Sequence, residues 1–303
     1  MNTKTFLSKF PTFSKKWGVY QKGIAPLPLG WTVMSDYCLD NPLKQDCITF
    51  TISPILGQLQ QVAHFLSKKL PRDIKQVRYF SDEELSFLSN KVFFSLVFVI
   101  KDKKHLVNMD FLKEDIQKLQ SNSFIPEVFR QRLKNFEQSL KSKNLPKKVL
   151  QNLSLVSFIF GKIVEFLTIK HYTEEIHWFP DRDSIMTVGN GIIRELSNIQ
   201  CTNSIAGRRK YPKISIGIEN PNTNEFVFDP FTRYPDIITG VFSSIDFESQ
   251  RVDKVKHLQV LEDVIINNPR IVLFSMDPDK ISCVNLRRAS CLERKTGSAL
   301  IGG

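Results

Sequence analysis

Residues 92–100 read VFFSLVFVI, and only the serine interrupts a continuous apolar run. A strand that is buried on both faces of a sheet has this near-continuous apolar pattern. The run is too short to cross a bilayer, which needs roughly 20 apolar residues. Charged residues follow it directly, beginning with Lys101 and Asp102. We therefore predict that residues 92–100 form a central strand, and we read the chain outward from there.

Towards the N-terminus, the pattern predicts a helix, a hairpin and a second helix. Ser81 and Glu84 have the spacing of a capping box, which predicts a helix from there to about residue 90. Residues 45–53 (QDCITFTIS) alternate in the manner of a strand and follow turn residues at 40–42. They pair in a predicted hairpin with residues 30–40, which form a strand that runs into a loop. Asp36 lies near the end of the first hairpin strand. Apolar spacing predicts a further helix over residues 58–69.

Towards the C-terminus, residues 105–170 are predicted to be helical and basic. Helical stretches lie at 110–119, 126–140 and 146–169, and residues 101–148 contain 12 basic and six acidic side chains. This is typical of a basic insertion, although a solvated lysine-rich face has the same composition. The apolar stretch 153–169 carries Lys162 and Glu165, which favours a buried helix over a membrane span.

The remaining residues alternate between strand and helix patterns. Strands are predicted at 174–179, 213–219, 225–228 and 270–275, and helices at 184–199, 235–247 and 253–266. The fold class is therefore α/β, with a mixed β-sheet flanked by helices and an inserted helical subdomain. The predicted domains are a basic N-terminal arm at 1–23, an α/β core at 24–104 and 171–280, the helical insertion at 105–170 and a flexible tail at 281–303.

Composition excludes several classes of protein. The chain has 303 residues, 42% of them hydrophobic, which excludes a wholly disordered protein. The five cysteines form no C-x-x-C motif and the five histidines no H-E-x-x-H, so a zinc site is not indicated. We expect a cytoplasmic protein that does not bind membranes. The net charge of +11 suits a nucleic acid partner, and it also suits simple solubility.

Acidic residues stand at the predicted strand ends and at one helix start. Asp36 ends the first strand, Asp181 and Asp183 follow the strand at 174–179, and Asp236 opens the helix at 235–247. Carboxylates converging from separate elements are the ligands that Mg²⁺ prefers. Asp183 is also a good N-cap for the following helix, so Asp181 is the preferred ligand. No P-loop, dinucleotide-binding or nucleophile-elbow motif occurs.

Four short stretches resemble a known family. They are residues 33–36 (VMSD), 73–75 (DIK), 179–182 (FPDR) and 234–240 (YPDIITG). Their order and spacing resemble the ribonuclease H-like fold of the retroviral integrase superfamily, and within it a little-characterised bacterial family with Asp-Glu-Ser, Glu-x-Lys, Asp-Arg and Ala-Asp motifs. The sequence departs from that family at Tyr37, Cys38, Asp73 and Pro235.

The resemblance implies a metal-dependent nuclease that hydrolyses phosphodiester bonds in RNA or DNA. It implies Mg²⁺ or Mn²⁺ as cofactor, with Asp36, Asp181 and Asp236 as metal ligands and Asp73 as a fourth catalytic candidate. The departures favour an alternative, a catalytically inactive scaffold of the same fold that binds nucleic acid or a protein partner. A third reading is an unrelated α/β interaction module whose charge only keeps it soluble.

Each candidate residue also has a simpler explanation. Asp36 suits an Asx-turn, Asp73 a surface position, and Asp236 the first turn of a helix, where an acid is electrostatically favourable. Arg182 and Arg233 suit phosphate contacts, and they suit pairing with these acids equally well.

Overall fold

The computed structural model describes the chain except for residues 1–4, 27, 104–108, 124, 143–145, 171–172, 182–191, 206–210, 218–227, 248, 250, 253, 285, 289–300 and 303. It divides into two compact units. The sheet unit comprises residues 10–101, 175–181 and 214–303. The helical unit comprises residues 1–9, 102–174 and 182–213. The chain therefore enters and leaves the sheet unit repeatedly.

The strands and helices are numbered in chain order. The strands are β1 Gly30–Cys38, β2 Asp46–Pro54, β3 Phe94–Ile100, β4 Glu175–Pro180, β5 Lys213–Ile216, β6 Ile245–Asp246, β7 Arg251–Val252, β8 Ile271–Met276, β9 Ile281–Val284, β10 Arg287–Arg288 and β11 Ile301–Gly302. The helices are α1 Pro11–Gly23, α2 Leu59–Lys69, α3 Asp82–Leu88, α4 Met109–Ser121, α5 Glu127–Ser142, α6 Lys147–Lys170, α7 Ile192–Ile205, α8 Asp229–Ser243 and α9 Val255–Val260.

Seven strands form one mixed sheet in the order β5-β4-β1-β2-β3-β8-β9. β1, β2 and β3 are antiparallel neighbours, whereas β4 runs parallel to β1 and β8 runs parallel to β3. Every residue of β3 is buried, so the central strand predicted at 92–100 is confirmed. The hairpin of β1 and β2 and the mixed sheet flanked by helices are confirmed as well.

Helix α8 packs on the sheet face to which Met34 of β1 and Val97 of β3 contribute. Ile238 and Phe242 of this helix are fully buried. The prediction that the helix begins at Pro235 is wrong, because it begins six residues earlier, at Asp229. Pro230 lies in the first turn of the helix, where its missing N–H costs no helical hydrogen bond. Asp236 consequently lies in the middle of α8, so the favourable first-turn position does not explain it.

Helix α1 covers the opposite face of the sheet. Phe13, Trp17 and Tyr20 are buried along one side of it, and the Trp17 ring lies 5.6 Å from that of Trp31 and 5.0 Å from that of Phe94. Residues 11–23, expected as part of a flexible basic arm, are thus a packed helix. The aromatic spacing of four and three residues places all three rings on one helical face.

The helical unit contains α4, α5, α6 and α7. The first three confirm the helices predicted at 110–119, 126–140 and 146–169, whereas α7 adds residues beyond the expected insertion. Within the described residues, one stretch is long and apolar enough to cross a membrane, at Lys147–Ile169. It is 72% buried over its most apolar window, so the buried helix predicted at 153–169 is confirmed.

A glycine allows α6 and α7 to approach closely. A β-carbon at Gly161 would lie 3.0 Å from the backbone carbon of Gln200. We expect Gly161→Val to push these helices apart and to lower the free energy of unfolding by about 1–3 kcal/mol. Urea denaturation measures this, with Gly18→Val as the control because a β-carbon at Gly18 meets nothing within 4 Å. Equal stability of the Gly161 variant and the wild type would contradict the close packing.

The C-terminal segment is partly ordered. The flexible tail expected at 281–303 begins with β9, which pairs antiparallel with β8. Residues 289–300 of that tail lie outside the described residues. The predicted strand at 225–228, except for Phe228, and the start of the helix predicted at 184–199 also lie outside them.

Ser81 and Glu84 form the predicted capping box at the start of α3.

Candidate active site

Asp36 and Asp181 lie side by side at the ends of two parallel strands. Met34 pairs with Phe179 across β1 and β4, and the N–H of Asp181 donates to the carbonyl of Ser35 over 2.8 Å. The two aspartates come two residues after that Met34–Phe179 pair, so both project from the same face of the sheet. Asp36 is 6% exposed. The sheet thus brings together two of the acids that the sequence singled out.

Asp236 reaches the same face from α8. The hydroxyl of Thr239, almost one turn beyond Asp236, donates to the carbonyl of Asp36 over 3.4 Å. The N–H of Ile74 donates to the Asp236 carboxylate, which links α8 to the short 3₁₀ turn at Ile74–Gln76. Asp236 therefore stands between the ends of the two strands and this turn.

Asp73 begins that turn. Its Oδ1 accepts from the N–H of Lys75 over 2.7 Å, and this contact caps the turn. The side chain is half-buried, so the simple surface position accounts for only part of its environment. Asp73 also acts electrostatically on Asp236, which places the two carboxylates in one cluster.

The electrostatics of Asp236 reflect this crowding. The pKa of Asp236 is raised from the usual 3.8 to about 6, chiefly by burial and then by the nearby charges of Asp181 and Asp73. Lys75 and the N–H of Ile74 act in the opposite direction. Carboxylates that share a site repel one another when ionised, and the repulsion appears as a raised pKa. Near neutral pH the cluster therefore holds unfavourable negative charge.

Lysines surround the acids. The ammonium of Lys256 is buried and donates to the carbonyls of Ile74 and Val77, the latter over 2.8 Å. Lys256 also interacts electrostatically with Asp73 and Asp236. Sequence reasoning missed Lys256, because a lysine at the start of a short helix gives no sign that it reaches a distant turn.

His257 is a buried neutral group beside α8. Its Nδ1 lies 2.6 Å from the hydroxyl of Ser244, and its Nε2 would lie 3.8 Å from a β-carbon at Gly240. Burial, assisted by Lys254, Lys256 and Lys44, lowers the pKa of His257 to about 3. The imidazole therefore stays uncharged over the ordinary pH range.

The two candidate arginines have different outcomes. The guanidinium of Arg233 donates to the carbonyls of Ser67 and Leu70 and lies 3.6 Å from the Asp229 carboxylate. It thus joins the end of α2 to α8 and has a structural role rather than a place among the clustered acids. Arg182, together with Asp183, lies outside the described residues.

Metal coordination needs donors at ligand distance. Within the part of the chain that the structure describes, no group of three or more His, Cys, Asp and Glu side chains is close enough to hold a metal ion. Mg²⁺ is commonly held by one or two carboxylates, with water and substrate phosphates as the other ligands. The described residues are therefore compatible with a cation of this sparsely held kind, and they do not form an all-protein cage.

A cavity lies elsewhere in the sheet unit. It has a volume of about 390 Å³ and lies between α1 and residues 265–273. The ammonium of Lys16 donates to the carbonyl of Ile271 over 2.6 Å at its edge. None of the four candidate aspartates lines this cavity, so we place the candidate site at the acidic cluster instead.

No family model matches the chain, and no curated protein or solved structure is significantly similar to it. The geometry of the site is therefore the basis for the functional argument.

Proposed function

We propose that the protein is a Mg²⁺- or Mn²⁺-dependent nuclease of the ribonuclease H-like fold. The observation that carries the proposal is the carboxylate cluster, in which Asp36 and Asp181 end neighbouring parallel strands and Asp236 faces them with a raised pKa. Strongly perturbed acids that converge at one place are more often functional than isolated surface acids.

The strand order supports the fold assignment. Three antiparallel strands, β1, β2 and β3, are followed by β4 and β5 on the other side of β1, with β4 parallel to β1. The resembled family has an acid in its opening strand and an Asp-Arg after a middle strand, and the matching residues Asp36 and Asp181 lie at adjacent strands of this sheet. β8 and β9 continue the sheet beyond β3.

In this proposal Asp36, Asp181 and Asp236 are the metal-ligand candidates, of which one or two bind the divalent cation at a time while water and substrate phosphates complete its coordination. Asp73 raises the pKa of Asp236. Such a cation, when bound, activates water and neutralises charge on a phosphodiester. The clustered carboxylates concentrate negative charge at a partly buried site, and this charge favours the cation-bound protein over the cation-free protein. Asp73 keeps the turn at residues 74–76 in place, and that turn donates the Ile74 N–H to Asp236.

A second candidate is a catalytically inactive scaffold of the same fold that binds nucleic acid or a protein partner. The observation that favours it is the absence, among described residues, of a ready-made three-ligand metal group. The substitutions at Tyr37, Asp73 and Pro235 relative to the resembled family support it too. This candidate predicts nucleic-acid binding without cleavage.

The two candidates differ in their response to metal. We expect Mg²⁺ or Mn²⁺ to raise the melting temperature by several degrees at concentrations far above Kd, because a ligand present at 100 times Kd stabilises by about 2.7 kcal/mol. Asp181→Asn should lose most of this shift, since it removes one of the carboxylates. Asp279→Asn, in the exposed turn between β8 and β9, is the matched control and should keep it.

Cleavage of labelled single- and double-stranded RNA and DNA completes the experiment. The nuclease proposal expects wild-type cleavage with Mg²⁺ or Mn²⁺ and none with a chelator. No thermal shift together with no cleavage would overturn the proposal. A shift without cleavage would favour the inactive scaffold.

A further inference from the structure

A short exposed segment extends from the acidic cluster to an exposed aromatic side chain. We call residues 73–79 the rim segment. It begins with Asp73 beside Asp236 and ends with Arg78 and Tyr79, both of which are exposed. Tyr79 is 58% exposed, which is unusual for a large ring. Tyr79 follows Asp73 by six residues, so the chain between them spans at most about 20 Å.

The rim segment is held in place on both sides of Tyr79. Upstream, the ammonium of Lys256 binds the carbonyls of Ile74 and Val77. Downstream, Phe80 is buried, and its N–H and carbonyl both bond to the side-chain amide of Gln259, over 3.0 and 2.9 Å. The exposed ring is therefore presented by a fixed backbone, which lowers the entropic cost of binding a ligand on it.

Arg78 and Tyr79 form a compact cationic and aromatic pair. The guanidinium carbon of Arg78 lies 5.8 Å from the centroid of the Tyr79 ring. Bases stack on aromatic rings and on guanidinium planes, and such stacking contributes a large part of the binding of single-stranded nucleic acid. In a duplex the bases are already stacked on one another and cannot reach an exposed ring.

The charges near the rim segment suit a phosphate backbone. Lys75 acts electrostatically on Asp236, whereas Lys44 and Lys254 act on Lys256, which itself interacts with Asp73 and Asp236. None of Lys44, Lys75 and Lys254 forms an ion pair with a carboxylate among the residues that the structure describes. Lysines therefore lie beside the acids of the cluster, and Arg78 adds a positive charge at the far end of the rim segment. Positive charge of this kind attracts a phosphate backbone.

We infer that the rim segment is a stacking platform for single-stranded nucleic acid, with Tyr79 as the ring that a base covers. The inference rests on the proposed function for the class of substrate, since it places the strand next to the acidic cluster. It goes beyond that function because it selects single strands over duplexes. It also assigns the selection to one side chain outside the carboxylate cluster.

The test is fluorescence anisotropy with the full chain in a chelating buffer at low salt. The probes are fluorescein-labelled oligothymidine and oligouridine of about 12 nucleotides, which is within the usual site size, and a duplex of the same length. We expect Tyr79→Ala to weaken single-strand binding by about fivefold or more, the lower end of what loss of one stacked base causes. Tyr79→Phe keeps the ring and should bind like the wild type.

The control is Tyr211→Ala, because Tyr211 is also an exposed tyrosine, at 56%. It should leave binding unchanged. Lys254→Gln should reduce the salt dependence by about one counterion if this lysine contacts a phosphate. Unchanged single-strand binding by Tyr79→Ala, or an equal loss of single-strand and duplex binding, would overturn the inference.

The result is separable from the nuclease proposal, since no cleavage is measured. Single-strand binding that depends on Tyr79 supports the platform even where the wild type cuts no substrate. Cleavage by a wild type whose binding does not depend on Tyr79 retains the nuclease and removes the platform.

Discussion

Replacing Asp236 by Asn is expected to abolish cleavage and, without metal, to stabilise the folded protein. Asp236 has its pKa raised from 3.8 to about 6 in the folded state, so folding is penalised once the carboxyl ionises. The stability penalty is absent below about pH 3.8, grows as the pH rises towards about 6, and is complete above that. A shift of this size corresponds to roughly 3 kcal/mol.

Asparagine keeps the shape and the oxygen that accepts from Ile74, but it carries no charge. We therefore expect Asp236→Asn to exceed the wild type in free energy of unfolding by up to about 3 kcal/mol near pH 8, and to lose that advantage near pH 4. Urea denaturation at the two pH values, with a chelator present, measures this. Mg²⁺ should reduce the difference in free energy of unfolding between the variant and the wild type, because it stabilises only the wild type.

Asp36→Asn should abolish cleavage in the same way, since Asp36 is the partner of Asp181 across β1 and β4. Asp279→Asn is again the matched control. Residual cleavage by Asp36→Asn and Asp236→Asn at the wild-type rate would remove both residues from the active site. Equal stability of Asp236→Asn and the wild type near pH 8 would contradict the electrostatic crowding.

Trp17→Ala is expected to cause the largest loss of stability among single substitutions in α1. Trp17 is 3% exposed, and its ring contacts Phe13, Tyr20, Trp31 and Phe94. Removal of a buried tryptophan from such a cluster costs about 3–5 kcal/mol, since it loses apolar contact and leaves a cavity. The midpoint of urea denaturation should fall accordingly.

The control is Val19→Ala in the same helix, because Val19 is 50% exposed and should cost little. Tyr20→Phe is an informative third variant. The Tyr20 hydroxyl donates to the carbonyl of Val92 over 2.8 Å, so its loss should cost about 1 kcal/mol. Wild-type stability of Trp17→Ala would mean that residues 11–23 are the flexible arm that their lysines suggested.

Local patterns predicted most of the sheet. The apolar run of β3, the alternation of β2 and the capping box of α3 all depend on near neighbours in sequence, so they can be read without the fold. The five lysines of residues 1–23 indicate a basic arm, whereas the spacing of Phe13, Trp17 and Tyr20 is that of a helix with one apolar face. Both patterns are local, and burial of the three aromatic rings against the sheet determines the structure.

The start of α8 and the surroundings of Asp236 could not be read locally. Two prolines, Pro230 and Pro235, are both plausible first-turn residues, and only packing on the sheet decides between them. The sequence predicts that Asp36 and Asp181 lie at strand ends. Their adjacency depends on the parallel pairing of β1 with β4, which are distant in sequence. Lys256 reaches the site through tertiary contacts with Ile74 and Val77, so no local pattern points to it.

The way the chain enters the sheet unit also determines when the site can form during folding. β1, β2 and β3 are joined by antiparallel pairings of nearby segments, whereas Asp36 and Asp181 are separated by about 145 residues. Such long-range pairings carry a large loop-closure cost and are slow to form. Any intermediate that contains only the first three strands lacks the carboxylate pair. Binding of a divalent cation would therefore report that β4 has paired with β1, rather than collapse of the N-terminal third of the chain alone.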